Sequence, residues 1–396
     1  MVEFEFWWLL VIPFFFALGW LAARVDIKQI ISESTDLPSA YFKGLHYLIT
    51  NQYEKAIEAF DEAIKINNNS LELHFALGGL LRRTGQIDRA INLHIDLLKK
   101  RELTKEQQDS VKAELAQDYF KAGLYDRSEE LLKALNKDKY YQFSLNTLLE
   151  IYVKEREWEK AIETATELEK VSGVSFRVSV SHYFCEIAVN QILSKKYEQA
   201  KKSLNKALEE SKNCTRANIL LGDIYAEEKL YEEAIVYWKK IEFQQPEYLG
   251  LVAPKIINTF QTLNKVNEGL SILARFFDIY KLKTLLNVLY ETVLKNEGAN
   301  QAENIARNEL IQRPSLSALD KLFQAQAIGK TNKIDNVELI QQTIKNTIGD
   351  RRFYLCNQCG FKARQFHWQC PACNAWESLP SEPADIILET NIETKK

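Results

Sequence analysis

Residues 222–246, GDIYAEEKLYEEAIVYWKKIEFQQP, carry the pattern that decides the fold. Gly222 is followed three positions later by an aromatic residue, Tyr225, and after a short polar break come Ala234 and, four positions further on, Trp238. Positions three or four apart share one face of a helix, so the stretch predicts two amphipathic helices joined by a turn. The small residues let the two helices approach closely, and the large ones fill the space to the next pair.

The same pattern recurs along the chain with a step of 34 residues. The other clear copies place small, aromatic or apolar residues in the same slots: Gly44, Tyr47, Ala56, Phe60 and Ala63; Gly78, Leu81, Ala90, His94 and Leu97; Ala116, Tyr119, Ser128 and Leu132; Leu149, Tyr152, Ala161 and Ala165; Ala188, Gln191, Ala200, Leu204 and Ala207. Two weaker copies follow at 257–276 and 290–314, and insertions of four or five residues precede the third and fifth copies.

A period of 34 residues held through so many copies resembles the tetratricopeptide repeat. Each helix pair of such an array buries its apolar face only against its neighbours, so the pairs stack into a superhelix with a long concave surface. The prediction is an all-α fold, a tetratricopeptide-repeat superhelical solenoid of eight to nine helix pairs over residues 35–348.

The composition agrees with a helical chain. Only 14 Gly and 8 Pro occur in 396 residues, too few for a fold built from many short strands and turns. The formal net charge of -3 offers no overall attraction to nucleic acid, because phosphate binding requires clustered excess Lys and Arg.

Near the amino terminus, residues 6–23, FWWLLVIPFFFALGWLAA, form an uninterrupted run without a charge. As a helix this run rises about 27 Å, enough to cross the hydrocarbon core of a bilayer. A secretory signal peptide is the alternative, but its first region is basic, and here Glu3 and Glu5 precede the run.

The flanking charges predict how this span is oriented. Arg24 and Lys28 follow it, and the more basic side of a membrane helix stays in the cytoplasm. The prediction is therefore a single-pass anchor in residues 1–25 at an inner membrane, with the bulk of the chain on the cytoplasmic side.

The repeat region contains no sequence pattern for catalysis. It has no Gly-rich phosphate loop, no G-x-S-x-G motif and no pair of histidines at i and i+4 with metal-ligand spacing. The acid pairs Glu129–Glu130, Glu209–Glu210 and Glu232–Glu233 are typical of solvated helix faces. We therefore expect a protein that is not an enzyme and that binds peptides or proteins on its concave surface.

Residues 356–376, CNQCGFKARQFHWQCPACNAW, hold four of the six cysteines. Two C-x-x-C pairs separated by ten residues could form a metal site, a redox centre or disulfides, and in a reducing compartment this pattern favours metal. Two residues inside each pair allow a tight knuckle, and two knuckles give tetrahedral coordination by four sulfurs, as in zinc or mononuclear iron sites. The predicted ligands are Cys356, Cys359, Cys370 and Cys373 in a metal-binding module over residues 351–380.

Such a site is closed, because four thiolates leave no position for water or substrate, and it serves folding rather than catalysis. Phe361, Trp368 and Trp376 are expected to form the apolar side of the module, against the knuckles or against the last helices. The other two cysteines, Cys185 and Cys214, lie far from the cluster in sequence and are interpreted as buried small hydrophobes. Residues 330–350 are predicted to form one more amphipathic helix leading into the module.

Together, the charge-free amino-terminal run, the repeat array and the terminal C-x-x-C module resemble the lipopolysaccharide assembly protein B (LapB) family. Besides residues 356–376, the resemblance is carried by GQIDRAINLH at 85–94, KAGLYDRSE at 121–129 and SHYFCEIA at 181–188. It implies an inner-membrane regulator of lipid A and lipopolysaccharide biosynthesis that acts as an adaptor. The partners implied are the membrane protease FtsH, the lipid A deacetylase LpxC, whose proteolysis the adaptor promotes, and other proteins of lipopolysaccharide synthesis and transport.

The family's module is of the rubredoxin type, and the four cysteines match its ligands one for one. The resemblance implies iron, whereas the residues alone leave iron and zinc equally open. One alternative function is an electron-transfer protein with an iron–thiolate centre, although the spacing between the cysteine pairs is shorter than in an electron-carrying rubredoxin. Another is a ribbon that binds nucleic acid. Residues 345–377 contain five basic and two acidic residues, and four thiolates with a divalent ion add -2, so little positive charge is left for such binding.

Overall fold

The structure is a computed structural model that describes residues 15–17, 19–20, 39–66, 70–100, 103–135, 139–329 and 352–385. Within these ranges the chain forms successive α-helices followed by a small three-stranded sheet. The chain divides into two compact units, one of residues 1–160 with 170–173 and the other of residues 161–169 with 174–396. Each unit is a stack of helix pairs.

In the first unit, consecutive helices pack against each other and form pairs. They are α1 (Ser39–Ile49), α2 (Tyr53–Ile66), α3 (Leu71–Arg83), α4 (Ile87–Leu98), α5 (Lys105–Lys121), α6 (Tyr125–Ala134) and α7 (Tyr141–Glu155). Helix α8 (Trp158–Ser172) contributes residues to both units.

The second unit is a stack of helix pairs that is followed by the sheet. Its helices are α9 (Arg177–Leu193), α10 (Tyr197–Glu210), α11 (Thr215–Glu227), α12 (Tyr231–Lys239), α13 (Ile241–Gln244), α14 (Leu249–Thr262), α15 (Val266–Tyr280), α16 (Lys283–Asn296), α17 (Ala299–Gln312) and α18 (Leu316–Gly329), with a 3₁₀ turn at Pro246–Tyr248. The strands are β1 (Arg352–Leu355), β2 (Lys362–Ala363) and β3 (Ala384–Asp385), in the order β2-β1-β3.

Seven of the turns inside helix pairs have the same backbone geometry. A residue with positive φ follows the first helix. The amide of the next residue donates to a carbonyl five positions earlier, as Leu230 N–H does to Tyr225 C=O at 2.9 Å. The positive-φ residues are Asn51, Gly85, Gly123, Arg156, Lys195, Lys229 and Asn264. Their numbers differ by 34 from 51 to 85, by 38 from 85 to 123 and by 39 from 156 to 195. These intervals confirm the period and both insertions predicted from the sequence.

The glycines in the small slots pack against the large slot sixteen positions later. A methyl group added at Gly44 would lie 2.9 Å from Cε1 of Phe60, and one at Gly222 would overlap the indole of Trp238. Phe60 and Trp238 are almost completely buried, with 1% and 2% exposure. The repeat prediction is therefore confirmed at the level of side-chain packing.

One acid pair differs from its predicted solvated state. The Glu129 carboxylate is only 15% exposed, accepts a hydrogen bond from the Tyr152 hydroxyl at 2.8 Å and pairs with Lys133 at 2.6 Å. Because α7 packs beside α6, the tyrosine reaches an acid that the sequence pattern alone places in water.

Two predicted segments lie outside the described residues. Nearly all of the anchor, residues 6–23, and the whole of the amphipathic helix at 330–350 fall in this category. In the part of the chain that the structure describes, no helix has both the length and the apolar character needed to cross a membrane. The anchor therefore stays a prediction.

Candidate metal centre and the surface that holds it

The cysteine pairs sit on two turns of the same construction. In the first, Gly360 N–H donates to Cys356 C=O at 3.0 Å, and in the second, Asn374 N–H donates to Cys370 C=O at 2.9 Å. Gly360 and Asn374 both have positive φ, at 73° and 59°, which lets the chain reverse directly after each C-x-x-C pair. Strands β1 and β2 pair antiparallel on either side of the first turn, with Leu355 opposite Lys362.

These turns bring all four predicted ligands together. The four sulfurs lie within 4.8 Å of one another, with Cys356 and Cys373 3.8 Å apart and Cys359 and Cys370 3.7 Å apart. Four sulfurs at about 2.3 Å from a central ion occupy the corners of a tetrahedron with edges of about 3.8 Å. The sulfur positions therefore fit one tetrahedral ion, and zinc and iron accept this donor set equally.

The surroundings shift the acidities of two of the thiols in opposite directions. A hydrogen bond from the Ser378 hydroxyl, with help from backbone amides, lowers the pKa of Cys356 to about 6. In Cys359, an amide hydrogen bond from Phe361 favours the thiolate, but lost hydration and the neighbouring sulfurs raise its pKa to about 12. A bound cation removes this repulsion, because it stabilises all four thiolates together.

The site is closed on one side and accessible on the other. Cys356 and Cys370 are buried in the module's small core with Ala363 and Leu379, whereas Cys359 and Cys373 are exposed. Four protein ligands leave no coordination position for a substrate, so the arrangement holds the fold of the module together. The module is called the ribbon below and comprises residues 352–385.

The ribbon is docked on the helices of the second unit. The imidazole of His182, in α9, lies flat on the indole of Trp376, with ring centroids 4.5 Å apart and planes 7° apart. On α11, the Arg216 guanidinium carbon lies 5.9 Å from the same indole. Trp376 is therefore held between two helices that belong to successive repeats.

The next ribbon residue makes the polar part of this contact. The Glu377 carboxylate lies 3.0 Å from His182 Nε2 and accepts a hydrogen bond from Gln245 Nε2 at 3.1 Å. Burial alone would raise the pKa of Glu377, but the bonds from His182 and Gln245 outweigh it and hold the pKa below its ordinary value. The glutamate is therefore a bound anion in the docked state.

Two further contacts continue along the helix stack. The Glu382 carboxylate accepts hydrogen bonds from both N–H and Oγ1 of Thr284, each at 2.8 Å, at the start of α16. The Ser381 hydroxyl donates to the carbonyl of Glu247, just before α14. First-turn amides of a helix have no partner within the helix, so a carboxylate is a favourable ligand there.

An aromatic cluster fills the space between the ribbon and the helices. Tyr248 contacts Trp368 and Phe366, with centroid distances of 5.0 and 5.9 Å, and Phe366 in turn packs on Tyr354 of β1. The sequence prediction placed the ribbon's apolar side against the knuckles or the last helices. The expected contact with the last helices is wrong, because Trp368 and Trp376 face helices from the middle of the chain. Phe361, predicted to join them, is 36% exposed.

The residues that receive the ribbon were not identified from the sequence. His182 is fully buried and lies in the segment SHYFCEIA at 181–188, but its spacing from the other histidines indicates no site. Gln245, Tyr248 and Thr284 carry no motif. The sequence does carry one signal, because polar His182 stands among residues of α9 that include buried Val180, Tyr183 and Cys185.

Family models match the two parts of this architecture. Residues 354–380 match a model described as a rubredoxin metal binding domain. Residues 44–85 and 194–240 match models of the tetratricopeptide repeat, and residues 143–170 match a PPR repeat model. The fold and the site thus define a tetratricopeptide-repeat protein with a rubredoxin-type metal-binding module.

Relatives of nearly full length carry the same name. The chain is 28% identical over 374 residues to lipopolysaccharide assembly protein B of Escherichia coli K12, covering 93% of this chain and 96% of the relative. It is also 28% identical over 387 residues to the protein of that name from Haemophilus influenzae, with the same coverage. The resemblance to the lipopolysaccharide assembly protein B family is therefore confirmed.

Among solved structures, the chain is similar to a tetratricopeptide repeat protein from Parabacteroides merdae, with 12% identity and a TM-score of 0.33. That likeness covers 78% of this chain and 99% of the other chain.

Proposed function

We propose that this protein is a membrane-anchored adaptor in lipopolysaccharide assembly. Similarity to lipopolysaccharide assembly protein B over 93% of the chain supports a role in that process. The observation that carries the adaptor proposal is the docking of the ribbon on the second unit through His182 and Glu377, because a closed metal site used as a structural clamp fits a binding scaffold.

In this proposal the adaptor acts on the cytoplasmic face of the inner membrane. The amino-terminal span confines it to the same surface as an FtsH-type protease, which raises the effective concentration of the two proteins without adding contacts. The helix stack presents the lipid A deacetylase LpxC for degradation, so the adaptor lowers the supply of lipid A precursors. The ribbon clamps successive helices of the second unit and offers an additional contact surface.

The test is complementation of an Escherichia coli strain depleted of its own lipopolysaccharide assembly protein B. The half-life of LpxC after translation is blocked is measured by immunoblot with the wild-type chain, with Cys370→Ser and with a chain lacking residues 1–25. We expect the wild-type chain to restore rapid turnover and both variants to leave LpxC stable at comparable adaptor levels. Cys185→Ser, which leaves the ribbon ligands intact, is the matched control.

Two results would count against the proposal. Normal LpxC turnover with metal-free Cys370→Ser would remove the ribbon from the mechanism. Failure of the wild-type chain, expressed in the membrane at the level of the native adaptor, would reject the role itself. Elemental analysis of the purified protein decides between zinc and iron, and an iron spectrum reversibly bleached by a reductant would favour the electron-transfer alternative.

A further inference from the structure

The two cysteines outside the ribbon are neighbours in space. Cys185 lies in the middle of α9 and Cys214 is the residue directly before α11, and their sulfurs are 3.7 Å apart. Both thiols are free and almost fully buried, with 0% and 1% exposure. The structure confirms the interpretation of both residues as buried side chains and adds that they contact each other.

The pair is a thiol pair and not a second metal site. In the described part of the chain, the ribbon sulfurs are the only group of three or more ligand atoms close enough to share one ion. Sulfurs at 3.7 Å touch without bonding, and a disulfide bond is about 2.0 Å long. An approach of about 1.7 Å therefore converts this contact into a covalent bond.

The surroundings give the two thiols different chemical roles. A hydrogen bond from Cys185 lowers the pKa of Cys214 to about 6, with further help from His182, the Ala217 amide and the Ser181 hydroxyl. Burial raises the pKa of Cys185. A thiolate is the nucleophilic form of cysteine, so Cys214 is the group that reacts first and Cys185 is the partner that resolves the product.

The backbone around Cys214 allows both access and movement. Residues 211–214 form the short connection between α10 and α11, and Lys212 and Asn213 are exposed. A connection of this kind opens more readily than the middle of a helix, because fewer backbone hydrogen bonds and apolar contacts hold it. A small oxidant thus reaches Cys214 through a local opening, while Cys185 stays fixed in α9.

We infer that Cys185 and Cys214 are a redox-sensitive pair that peroxides convert into a disulfide, and that this disulfide loosens the docked ribbon. In the first step the Cys214 thiolate attacks one peroxide oxygen, the O–O bond breaks, and alkoxide or hydroxide leaves and takes up a proton. The Cys185 thiol then attacks the sulfenic sulfur, the S–O bond breaks and water leaves. Two thiols lose two electrons, and one hydroperoxide is reduced to an alcohol or water.

The link to the ribbon follows from the positions of the two thiols. His182 lies one helical turn before Cys185 on α9, and Arg216 lies two residues after Cys214 at the start of α11. These two side chains hold the indole of Trp376 from two sides. Drawing the sulfurs together moves α9 and the start of α11 relative to each other, so the distances that position Trp376 change.

The experiment uses the full chain with its metal bound, treated with increasing hydrogen peroxide and then alkylated. Trypsin releases Cys185 in residues 178–195 and Cys214 in residues 213–216, and neither peptide contains another cysteine. Mass spectrometry without reduction is expected to detect these two peptides as one cross-linked species, which disappears after reduction with dithiothreitol. In Cys185→Ser we expect no such species and capture of Cys214 by dimedone as a sulfenic acid.

Hydrogen exchange of residues 368–378 reports the second half of the proposal. After peroxide treatment, exchange in this segment should accelerate more in the wild-type chain than in Cys185→Ser, where oxidation of the ribbon thiols occurs equally. Peroxide that oxidises ribbon cysteines but yields no cross-link between residues 185 and 214 in the folded protein would overturn the thiol pair. A cross-link with equal exchange in the two proteins would overturn its coupling to the ribbon.

Discussion

The imidazole of His182 is stacked on the indole of Trp376 while its Nε2 lies 3.0 Å from the Glu377 carboxylate. One buried side chain of the helix stack thus makes both the aromatic and the polar contact with two consecutive ribbon residues. This combination is strong, because the stacked indole keeps water away from the hydrogen bond between His182 and the Glu377 carboxylate.

Replacing His182 by alanine should therefore release the ribbon. The change removes one aromatic stack and one charge-assisted hydrogen bond and leaves Glu377 without that partner, at a total cost of about 2–4 kcal/mol. We expect faster hydrogen exchange in residues 352–385 with unchanged metal content. His46→Ala, at an exposed position of α1, is the control, and slow ribbon exchange in both variants would contradict the role of His182.

The docked ribbon should also be sensitive to acid through Glu377. Because the folded-state pKa of this carboxyl lies below its ordinary value, its contribution to stability is present above about pH 4.3 and is lost as the pH falls through the folded-state pKa. The difference in free energy of unfolding between wild type and Glu377→Gln should therefore shrink in acid. Thiolate protonation affects both proteins and cancels, so a difference that stays constant with pH would refute this origin.

Two adjacent glycines of α3 should respond to alanine in opposite ways. A methyl group at Gly78 overlaps the buried His94 ring, whereas at Gly79 the nearest atom is Nη2 of Arg82, 3.9 Å away. Gly78→Ala should destabilise the protein by about 1–3 kcal/mol through overpacking, and Gly79→Ala should stabilise it by about 0.5–1 kcal/mol through helix propensity. Urea unfolding of the two variants measures both effects. Equal losses would mean that the small slot is not a packing requirement.

The contact between Thr284 and Glu382 should stabilise the ribbon's last segment. Glu382→Gln removes the charge at the start of α16 and should cost about 1 kcal/mol, and Thr284→Val keeps the amide donor but deletes the hydroxyl. In a double-mutant cycle the two changes should be coupled by about 1 kcal/mol, read from chemical unfolding of the metal-loaded protein. Strictly additive effects would show that the hydroxyl and the carboxylate do not interact in solution.

The sequence predicts the helix pairs well because their determinants are local and repeated. Gly222 and Trp238, or Gly44 and Phe60, are separated by the same number of residues, and each pair is fixed by a short turn. The four ribbon sulfurs were predicted for a similar reason, since each C-x-x-C pair forms its own turn. All four cysteines, and the two turns that bring their sulfurs together, lie within residues 356–374.

The docking surface could not be predicted in this way. His182 and Glu377 are 195 positions apart, and no periodicity relates a terminal ribbon to the helices that receive it. The same applies to Cys185 and Cys214, whose contact depends on how α9 packs beside α11. Contacts of this kind follow from the stacking geometry of successive repeats, which single-sequence patterns do not specify.

The ribbon also changes how the second unit is expected to unfold. Helix pairs in a repeat array interact only with their neighbours, so such arrays can lose pairs one after another from an end. Here a single module touches α9 through His182, the start of α14 through Tyr248, and α16 through Thr284. None of these helices can unfold without breaking a ribbon contact. We therefore expect the helices from α9 to α16 to unfold cooperatively. A metal ion held by the four cysteines would keep the ribbon folded and would thereby set the cooperativity of helices that it does not touch.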